Sequence, residues 1–165
     1  MPEVNVDDRG EFWRSFCHKE LDENGLKFEV CQSNVSINTH RYTLRGFHFQ
    51  RRPSTEQKIL TVIEGSLYVV IVDVRRESPT FLTYQSFHFG IGDRSSLLIA
   101  DGCATGFQTL ADNTIVHYQM SDYYQKERYT GFRYDDPCIG VEWPFEPTVI
   151  SNRDRGFVDL ELSSL

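Results

Sequence analysis

Short runs of β-branched and aromatic residues recur along most of this chain, and turn-forming residues separate them about every eight to twelve residues. The two clearest runs lie at 59–63 and 67–74. Between them, Glu64-Gly65-Ser66 predicts either a hairpin or a tight strand–turn–strand connection. A chain with many short strands joined by turns is expected to fold as an all-β sandwich or barrel.

The remaining strand predictions rest on the same composition, and they cover residues 27–34, 42–49, 83–89, 95–99, 106–109 and 114–120. Helix signals are few: residues 12–21 predict one or two turns, and residues 122–125 predict a short turn. The last stretch, 144–165, has no clear period and is expected to wrap around the strands. Because the 165 residues contain neither a repeat nor a linker, we expect a single domain over 1–165.

The charge of the chain limits its partners. A formal net charge of −7 provides no basic face for nucleic acid or for an anionic membrane, although a few placed arginines and lysines can still hold a phosphate. The longest apolar run, at 67–72, has the length of a strand, and the first residues lack the pattern of a signal peptide. The four cysteines are scattered without a C-x-x-C pair, which favours reduced thiols in a cytoplasmic protein.

Two blocks of sequence are more specific than a strand pattern: Leu44-Arg45-Gly46-Phe47-His48-Phe49-Gln50, and VDVRRESPTF at 72–81. Further segments at 7–10, 32–36, 101–107, 118–124 and 135–144 match one known family in the order in which that family carries them. Taken together, these motifs resemble the dTDP-4-dehydrorhamnose 3,5-epimerase family, a branch of the cupin superfamily. The resemblance covers nearly the whole chain.

The resemblance implies a cupin jelly-roll with a few short helical turns and with a pocket inside the barrel. It also implies a homodimer that exchanges N-terminal strands. The implied substrate is a nucleotide-linked 4-keto-6-deoxy sugar that is epimerised at C3, C5 or both. The implied catalytic residues are the base His48, its supporting carboxylate Asp154, the acid Tyr118 and the cation Lys58. The implied substrate-binding residues are Arg9, Gln32, Asn34, Arg45 and Tyr124.

The reaction explains why these residue types are needed. A ketone at C4 acidifies the hydrogens on C3 and C5, so that a base can form an enolate and an acid on the opposite face can invert the centre. Histidine suits the base because its pKa lies near neutral pH, and a carboxylate on its other nitrogen fixes the tautomer. A phenol can return the proton, while Lys58 or Arg45 stabilises the oxyanion.

Each assignment has an ordinary structural alternative. Tyr118 and Lys58 could be plain strand residues, and Arg9 and Arg45 could be surface arginines. Asp154 could be a turn aspartate, since the C-terminal segment matches only through short steps. The surrounding motifs favour the functional interpretation.

A metal is not expected. Metal-binding cupins carry a His-x-His pair on one strand and a further histidine after a P-x-G turn. Here Phe49 and Gln50 follow His48, and Thr105 stands where the last histidine would be. One histidine and one threonine do not make a site with three or four ligands. No cofactor is required either.

Two residues depart from the family pattern. Thr105 replaces a pocket histidine, and an epimerase that inverts C3 or C5 alone becomes a hypothesis beside the double epimerase. Arg14 replaces a glutamate of relatives that bind thymidine nucleotides. Because arginine only donates hydrogen bonds, it suits a base that offers acceptors, and CDP or GDP becomes a hypothesis. Both residues are predicted to contact substrate.

Two other functions remain open at this point. One is a catalytically inactive cupin that binds a sugar nucleotide, and the other is a 3,4-ketoisomerase that moves the carbonyl with similar groups. Retention of His48, Tyr118 and Lys58 favours an active epimerase.

Overall fold

Strands make up most of the regular structure in the computed structural model, which describes residues 2–161. In chain order the elements are β1 (Val4–Asp7), β2 (Gly10–Trp13), α1 (His18–Glu23), β3 (Gln32–Asn38), β4 (Thr43–Gln50), β5 (Lys58–Glu64), β6 (Leu67–Asp73), β7 (Tyr84–Phe89), β8 (Ser96–Ile99), β9 (Cys103–Thr109), β10 (Thr114–Met120), β11 (Tyr129–Gly131), β12 (Val149–Ile150) and α2 (Asn152–Arg155). Neither helix described within residues 2–161 is long and apolar enough to cross a membrane.

The strands form a small hairpin and two larger sheets. Strands β1 and β2 pair with each other. Sheet I has the order β3-β10-β5-β8, and sheet II has the order β11-β4-β9-β6-β7, with β12 beside β4. All these pairings are antiparallel except that of β12 with β4. The all-β prediction is confirmed, and the architecture is the jelly-roll that the resemblance implied.

Side-chain alternation gives the molecule two apolar clusters. Val69 of β6 faces sheet I and joins a cluster to which β5, β8, β9 and β10 also contribute. Val70 and Val72 point to the other face of sheet II, where Phe132 and Ile139, from the segment after β11, cover them. Because β6 is buried on both faces, its sequence is continuously apolar and does not alternate.

The VDVRRESPTF block has a structural role in the connection from β6 to β7. The Asp73 carboxylate accepts hydrogen bonds from Arg75 Nε at 2.9 Å, Thr80 Oγ1 at 2.7 Å and Ser78 Oγ. Burial alone would raise the pKa of Asp73, but these bonds outweigh it and hold the pKa well below its usual range. The block therefore shapes a loop, and none of its residues lines the cavity between the two sheets.

Several predicted boundaries were wrong. Residues 27–31 are irregular, and the strand begins only at Gln32, where pairing with β10 starts. Trp13 belongs to β2 and not to a helix, and residues 122–125 form no helical turn. Of the two predicted forms of the connection at 64–66, the strand–turn–strand is correct, because β5 lies in sheet I and β6 in sheet II. Residues 144–161 do pack against β4 through β12 and α2, while 162–165 lie outside the described residues.

Gly65, which joins the two sheets, gives a test of this packing. It has φ +84°, and a Cβ there would lie 2.8 Å from the Thr114 Cα. We predict that Gly65→Ala lowers the free energy of unfolding by about 2–4 kcal/mol. Two costs add: alanine disfavours the left-handed backbone at this position, and its Cβ would clash with the backbone of Thr114. Urea denaturation measures this loss. Gly90→Ala is the matched control, since nothing lies within 4 Å of its Cβ position, and a similar loss in both variants would contradict the packing argument.

Candidate functional site

A cavity of about 500 Å³ lies between the two sheets. Sheet I contributes side chains from β3, β5, β8 and β10, and sheet II contributes side chains from β4, β9 and β11. The cavity brings together eight of the residues predicted from sequence, namely Gln32, Asn34, Arg45, His48, Lys58, Thr105, Tyr118 and Tyr124. A space lined from two opposed sheets can hold a ligand between groups that face each other.

The wall on sheet II depends on an irregularity in β4. In a regular strand Arg45 and His48 would point to opposite faces, because side chains alternate. The pairing of β4 with β9 shifts between these two residues, and both side chains reach the cavity. Gly46 permits the shift: its φ is +131°, and a Cβ there would lie 2.4 Å from the Gly106 Cα.

His48 is held by a buried carboxylate. Its Nε2 lies 2.8 Å from Asp154 Oδ1, and the Gly46 N–H donates to Asp154 Oδ2 at 3.2 Å. Asp154 lies on α2, whose N-cap Ser151 accepts a hydrogen bond from the Asp154 N–H. With the proton on Nε2, the lone pair of His48 is on Nδ1. The arrangement therefore provides an oriented imidazole with a partner for its positive form.

The opposite wall carries Tyr118, on β10 of sheet I. Burial raises the pKa of its phenol, and the nearby Arg45 offsets only part of that effect. Tyr118 is therefore a neutral donor at pH 7. A second phenol, Tyr129 on β11, lies on the same sheet as His48, with ring centroids 5.4 Å apart, and burial raises its pKa as well.

The cations of the cavity are engaged with neighbouring side chains. Lys58 Nζ lies 3.0 Å from Glu56 Oε2, and the Gln50 side-chain amide donates to Glu56 Oε1 at 3.0 Å. Arg45 Nε donates to Asn38 Oδ1 at 2.8 Å. These contacts fix where Lys58 and Arg45 lie, while the remaining N–H groups of each stay available to a ligand.

The other predicted residues that line the cavity are Gln32, Asn34, Tyr124 and Thr105. Gln32 Oε1 accepts from the Tyr124 N–H, which fixes the loop that carries Tyr124, and the Asn34 side chain contacts the Met120 sulfur. Thr105 is different, because its hydroxyl oxygen is buried without a hydrogen-bond partner within residues 2–161.

The structure places Arg9 and Arg14 outside this cavity. Arg9 lies in the hairpin turn between β1 and β2, highly exposed, and its guanidinium pairs with Asp7. Arg14 follows β2 and pairs with Glu20 beside a different pocket. Within one chain neither residue reaches the cavity, because the hairpin that carries them is not part of the sandwich.

Sequence did not predict the apolar lining of the cavity, and it did not predict the functional groups of Tyr129, Arg153 and Glu56. Tyr129 and Arg153 line the cavity, with the guanidinium carbon of Arg153 4.7 Å from the centre of the Tyr129 ring, and Glu56 pairs with Lys58. Arg153 directly precedes Asp154, and that adjacency could have indicated it. Tyr129 had no motif around it that would have done so.

Among the described residues, 2–161, no three His, Cys, Asp or Glu side chains are grouped so that they could hold a metal ion. Reaction without a metal stays a prediction.

Comparison with known proteins gives consistent matches over the length of the chain. Residues 1–161 match the family model of dTDP-4-dehydrorhamnose 3,5-epimerase. The enzyme of that name from Methanothermobacter thermautotrophicus is 37% identical over 162 residues, which are 96% of this chain and 86% of that protein.

Solved structures agree with the sequence matches. The dTDP-4-dehydrorhamnose 3,5-epimerase from Bacillus anthracis, with TDP and PPi bound, superposes with a TM-score of 0.93 at 35% identity, over 96% of this chain and 91% of that one. A 3'-monoepimerase from Streptomyces bikiniensis, in complex with dTDP-quinovose, gives a TM-score of 0.89 at 29% identity, over 99% and 81%. The matched structures thus include an enzyme named for epimerisation at two carbons and one named for epimerisation at a single carbon.

The pair of His48 and Asp154 predicts a pH-dependent contribution to stability. Burial alone would raise the pKa of Asp154, but hydrogen bonds from His48 and Gly46 lower it below its ordinary value of 3.8. A carboxyl whose pKa is lower in the folded state stabilises the protein above that ordinary value and loses the effect as pH falls through the folded pKa. We predict that Asp154→Asn costs about 1–3 kcal/mol at pH 7 and progressively less below pH 3.8.

Urea denaturation at several pH values measures this difference. Asp135→Asn is the control, because its ion pair with Arg133 is exposed to solvent and is expected to contribute about 0.5 kcal/mol or less. A loss for Asp154→Asn that stays constant down to low pH would contradict the assigned origin.

Proposed function

The chain belongs to the dTDP-4-dehydrorhamnose 3,5-epimerase family, and we propose that it inverts C3, C5 or both in a nucleotide-linked 4-keto-6-deoxy sugar. It is an isomerase of the epimerase type. One observation carries the proposal: an imidazole backed by a carboxylate lines one wall of a cavity whose opposite wall carries a neutral phenol.

The first step is proton removal by His48. Its Nδ1 lone pair takes the hydrogen from the carbon beside the ketone, and the electrons of the C–H bond move into a C=C bond while the C4 oxygen becomes an enolate. The imidazolium that forms keeps its Nε2–H on Asp154, whose negative charge stabilises it.

The enolate oxygen requires positive groups that are already in place. Lys58 and Arg45 both line the cavity, and their positions are fixed by Glu56 and Asn38. A preorganised donor of this kind is worth roughly 3–4 kcal/mol in the transition state.

The second step is proton return from the other face of the sugar. Inversion requires a donor on the sheet opposite His48, and Tyr118 meets that requirement while Tyr129 lies on the same sheet as the base. The Tyr118 O–H bond breaks, the carbon gains the proton, and the phenolate and imidazolium return to their starting states by exchange with water.

The rest of the cavity suits the sugar and its diphosphate. Gln32, Asn34 and Tyr124 offer polar and aromatic contacts, and Arg153 provides a guanidinium beside Tyr129. Arginine pairs well with phosphate oxygens because its N–H groups form a planar fork.

The hairpin of β1 and β2 fits a homodimer in which each copy exchanges this hairpin with its partner. Val6 and Phe12 are each 72% exposed, and Val35 and Ile37 on the edge strand β3 are 61% and 65% exposed. Exposed apolar side chains beside an unpaired strand edge are typical of an interface. Exchange would also bring Arg9 and Arg14 to the partner's cavity, which is how those two residues would contact substrate.

Two finer properties stay predictions. The identity of the nucleobase depends on Arg14, for which CDP and GDP were the hypotheses beside dTDP. The cytoplasmic location rests on the cysteines, all four of which are free.

The reaction is tested by NMR in D2O with dTDP-, CDP- and GDP-linked 4-keto-6-deoxyglucose. We predict deuterium uptake at C3, C5 or both on at least one of them. His48→Ala should lower exchange by about 10³-fold or more while nucleotide binding persists, and Tyr118→Phe should allow exchange but impair inversion.

His88→Ala and Tyr84→Phe are the matched controls, since both residues lie on the exposed part of β7. Wild-type protein without any exchange would indicate the inactive binding protein, and a shifted carbonyl would indicate the ketoisomerase. Full activity of His48→Ala would overturn the mechanism.

The homodimer is tested by light scattering after size exclusion. We predict a wild-type mass of twice the chain mass and a monomer for the double variant Val35→Glu with Ile37→Glu, because two charges would be buried at the interface. Ile91→Glu is the control, since Ile91 is 80% exposed on a turn. A monomeric wild type would rule the dimer out.

A further inference from the structure

Thr105 lies directly beside the proposed base. It is the cross-strand partner of His48 where β9 pairs with β4, and it pairs with Ile71 of β6 on its other side. Opposite residues of an antiparallel pair point to the same face, with Cβ atoms about 4.5–5.5 Å apart. The Thr105 side chain therefore lies next to the carbon from which His48 would remove a proton.

The hydroxyl of Thr105 is a buried polar group of this site that the described part of the chain leaves without a partner. His48, Lys58 and Arg45 have partners in Asp154, Glu56 and Asn38. Thr105 Oγ1 has no hydrogen-bond partner within residues 2–161, and the other buried side-chain atom in that condition, Trp13 Nε1, is outside the cavity. A buried hydroxyl without a partner is costly, so a ligand that offers one gains affinity.

Thr105 can present this hydroxyl to a ligand. The residue lines the cavity, while its oxygen is buried. Rotation about χ1 exchanges the positions of the hydroxyl and the methyl group between staggered rotamers. A polar ligand group beside His48 would favour the rotamer that points Oγ1 into the cavity.

We propose that Thr105 Oγ1 hydrogen-bonds the hydroxyl on C3 of the sugar and thereby directs His48 to C3 in preference to C5. The inference rests on the proposed function. The two acidified carbons differ in what they carry, since C3 has a hydroxyl and C5 has a methyl group. Placing C3 next to His48 gives the threonine a hydroxyl that can both donate and accept, whereas placing C5 there offers it a methyl group and the ring ether oxygen, which is only a weak acceptor.

The experiment compares deuterium uptake at C3 and at C5, on the nucleotide sugar that wild-type protein exchanges fastest. We expect wild type to exchange C3 faster. Thr105→Val, which replaces the hydroxyl with a methyl group of similar size, should lower the ratio of C3 to C5 exchange by about 10-fold. Thr105→Ser should keep the wild-type preference because it keeps the hydroxyl.

Thr130→Val is the matched control, because Thr130 is also a strand threonine, in the middle of β11, but does not line the cavity. Its ratio should equal that of wild type. Thr105→Ala provides a second variant without the hydroxyl, for the case in which the valine is poorly accommodated.

The outcomes separate this inference from the function itself. Exchange at neither carbon in wild type would overturn the proposed function and this inference with it. Exchange that favours C5, or a ratio unchanged in Thr105→Val and Thr105→Ala, would overturn the role of Thr105 and leave the epimerase intact.

Discussion

The site depends on the register shift of β4 against β9 at Gly46. Without it Arg45 and His48 would lie on opposite faces of sheet II, and only one could reach the cavity. The same glycine donates its N–H to Asp154, which also binds His48, so that one carboxylate joins the irregular backbone to the imidazole. The close approach to Gly106 leaves no room for a Cβ at this point. Local backbone geometry and the proposed base are therefore one structural unit.

Electrostatics inside the cavity follow a single pattern. Lys58 lies against a buried carboxylate and Arg45 against a buried amide, while burial keeps the phenol of Tyr118 protonated. In the proposed reaction, these groups are in place before the substrate binds, which limits the reorganisation needed when charge moves to the enolate oxygen. Tyr118, the proposed acid, carries no charge until it gives up its proton. The cations of the cavity therefore stabilise the negative charge that would develop on the enolate oxygen, while the phenol is neutral before the reaction.

Sequence predicted most of the sandwich and much of the site, for identifiable reasons. Strands such as β6 and β10 are apolar or β-branched enough to be recognised alone, and the block around His48 is specific. The hydrophobic pattern did not indicate the hairpin, and only the resemblance implied N-terminal strands, because Val6 and Phe12 lie outside the sandwich, where alternation with a core does not shape the sequence. Tyr129 and Glu56 were missed because they reach the site through tertiary pairing across strands and loops. The block VDVRRESPTF shows that a specific motif can serve a loop and contribute nothing to the cavity.

Stereochemistry explains why this fold suits inversion. A carbon can be inverted only if the proton leaves from one face and returns to the other, so base and acid must lie on opposite sides of a flat enolate. Two facing sheets provide those sides, and the apolar cluster around Val69 and Phe107 keeps the sheets apart at a fixed distance. His48 and Tyr129 share a sheet, so a proton exchanged between them and the sugar would return to the face it left. Tyr118, on the other sheet, is the phenol whose position is compatible with inversion.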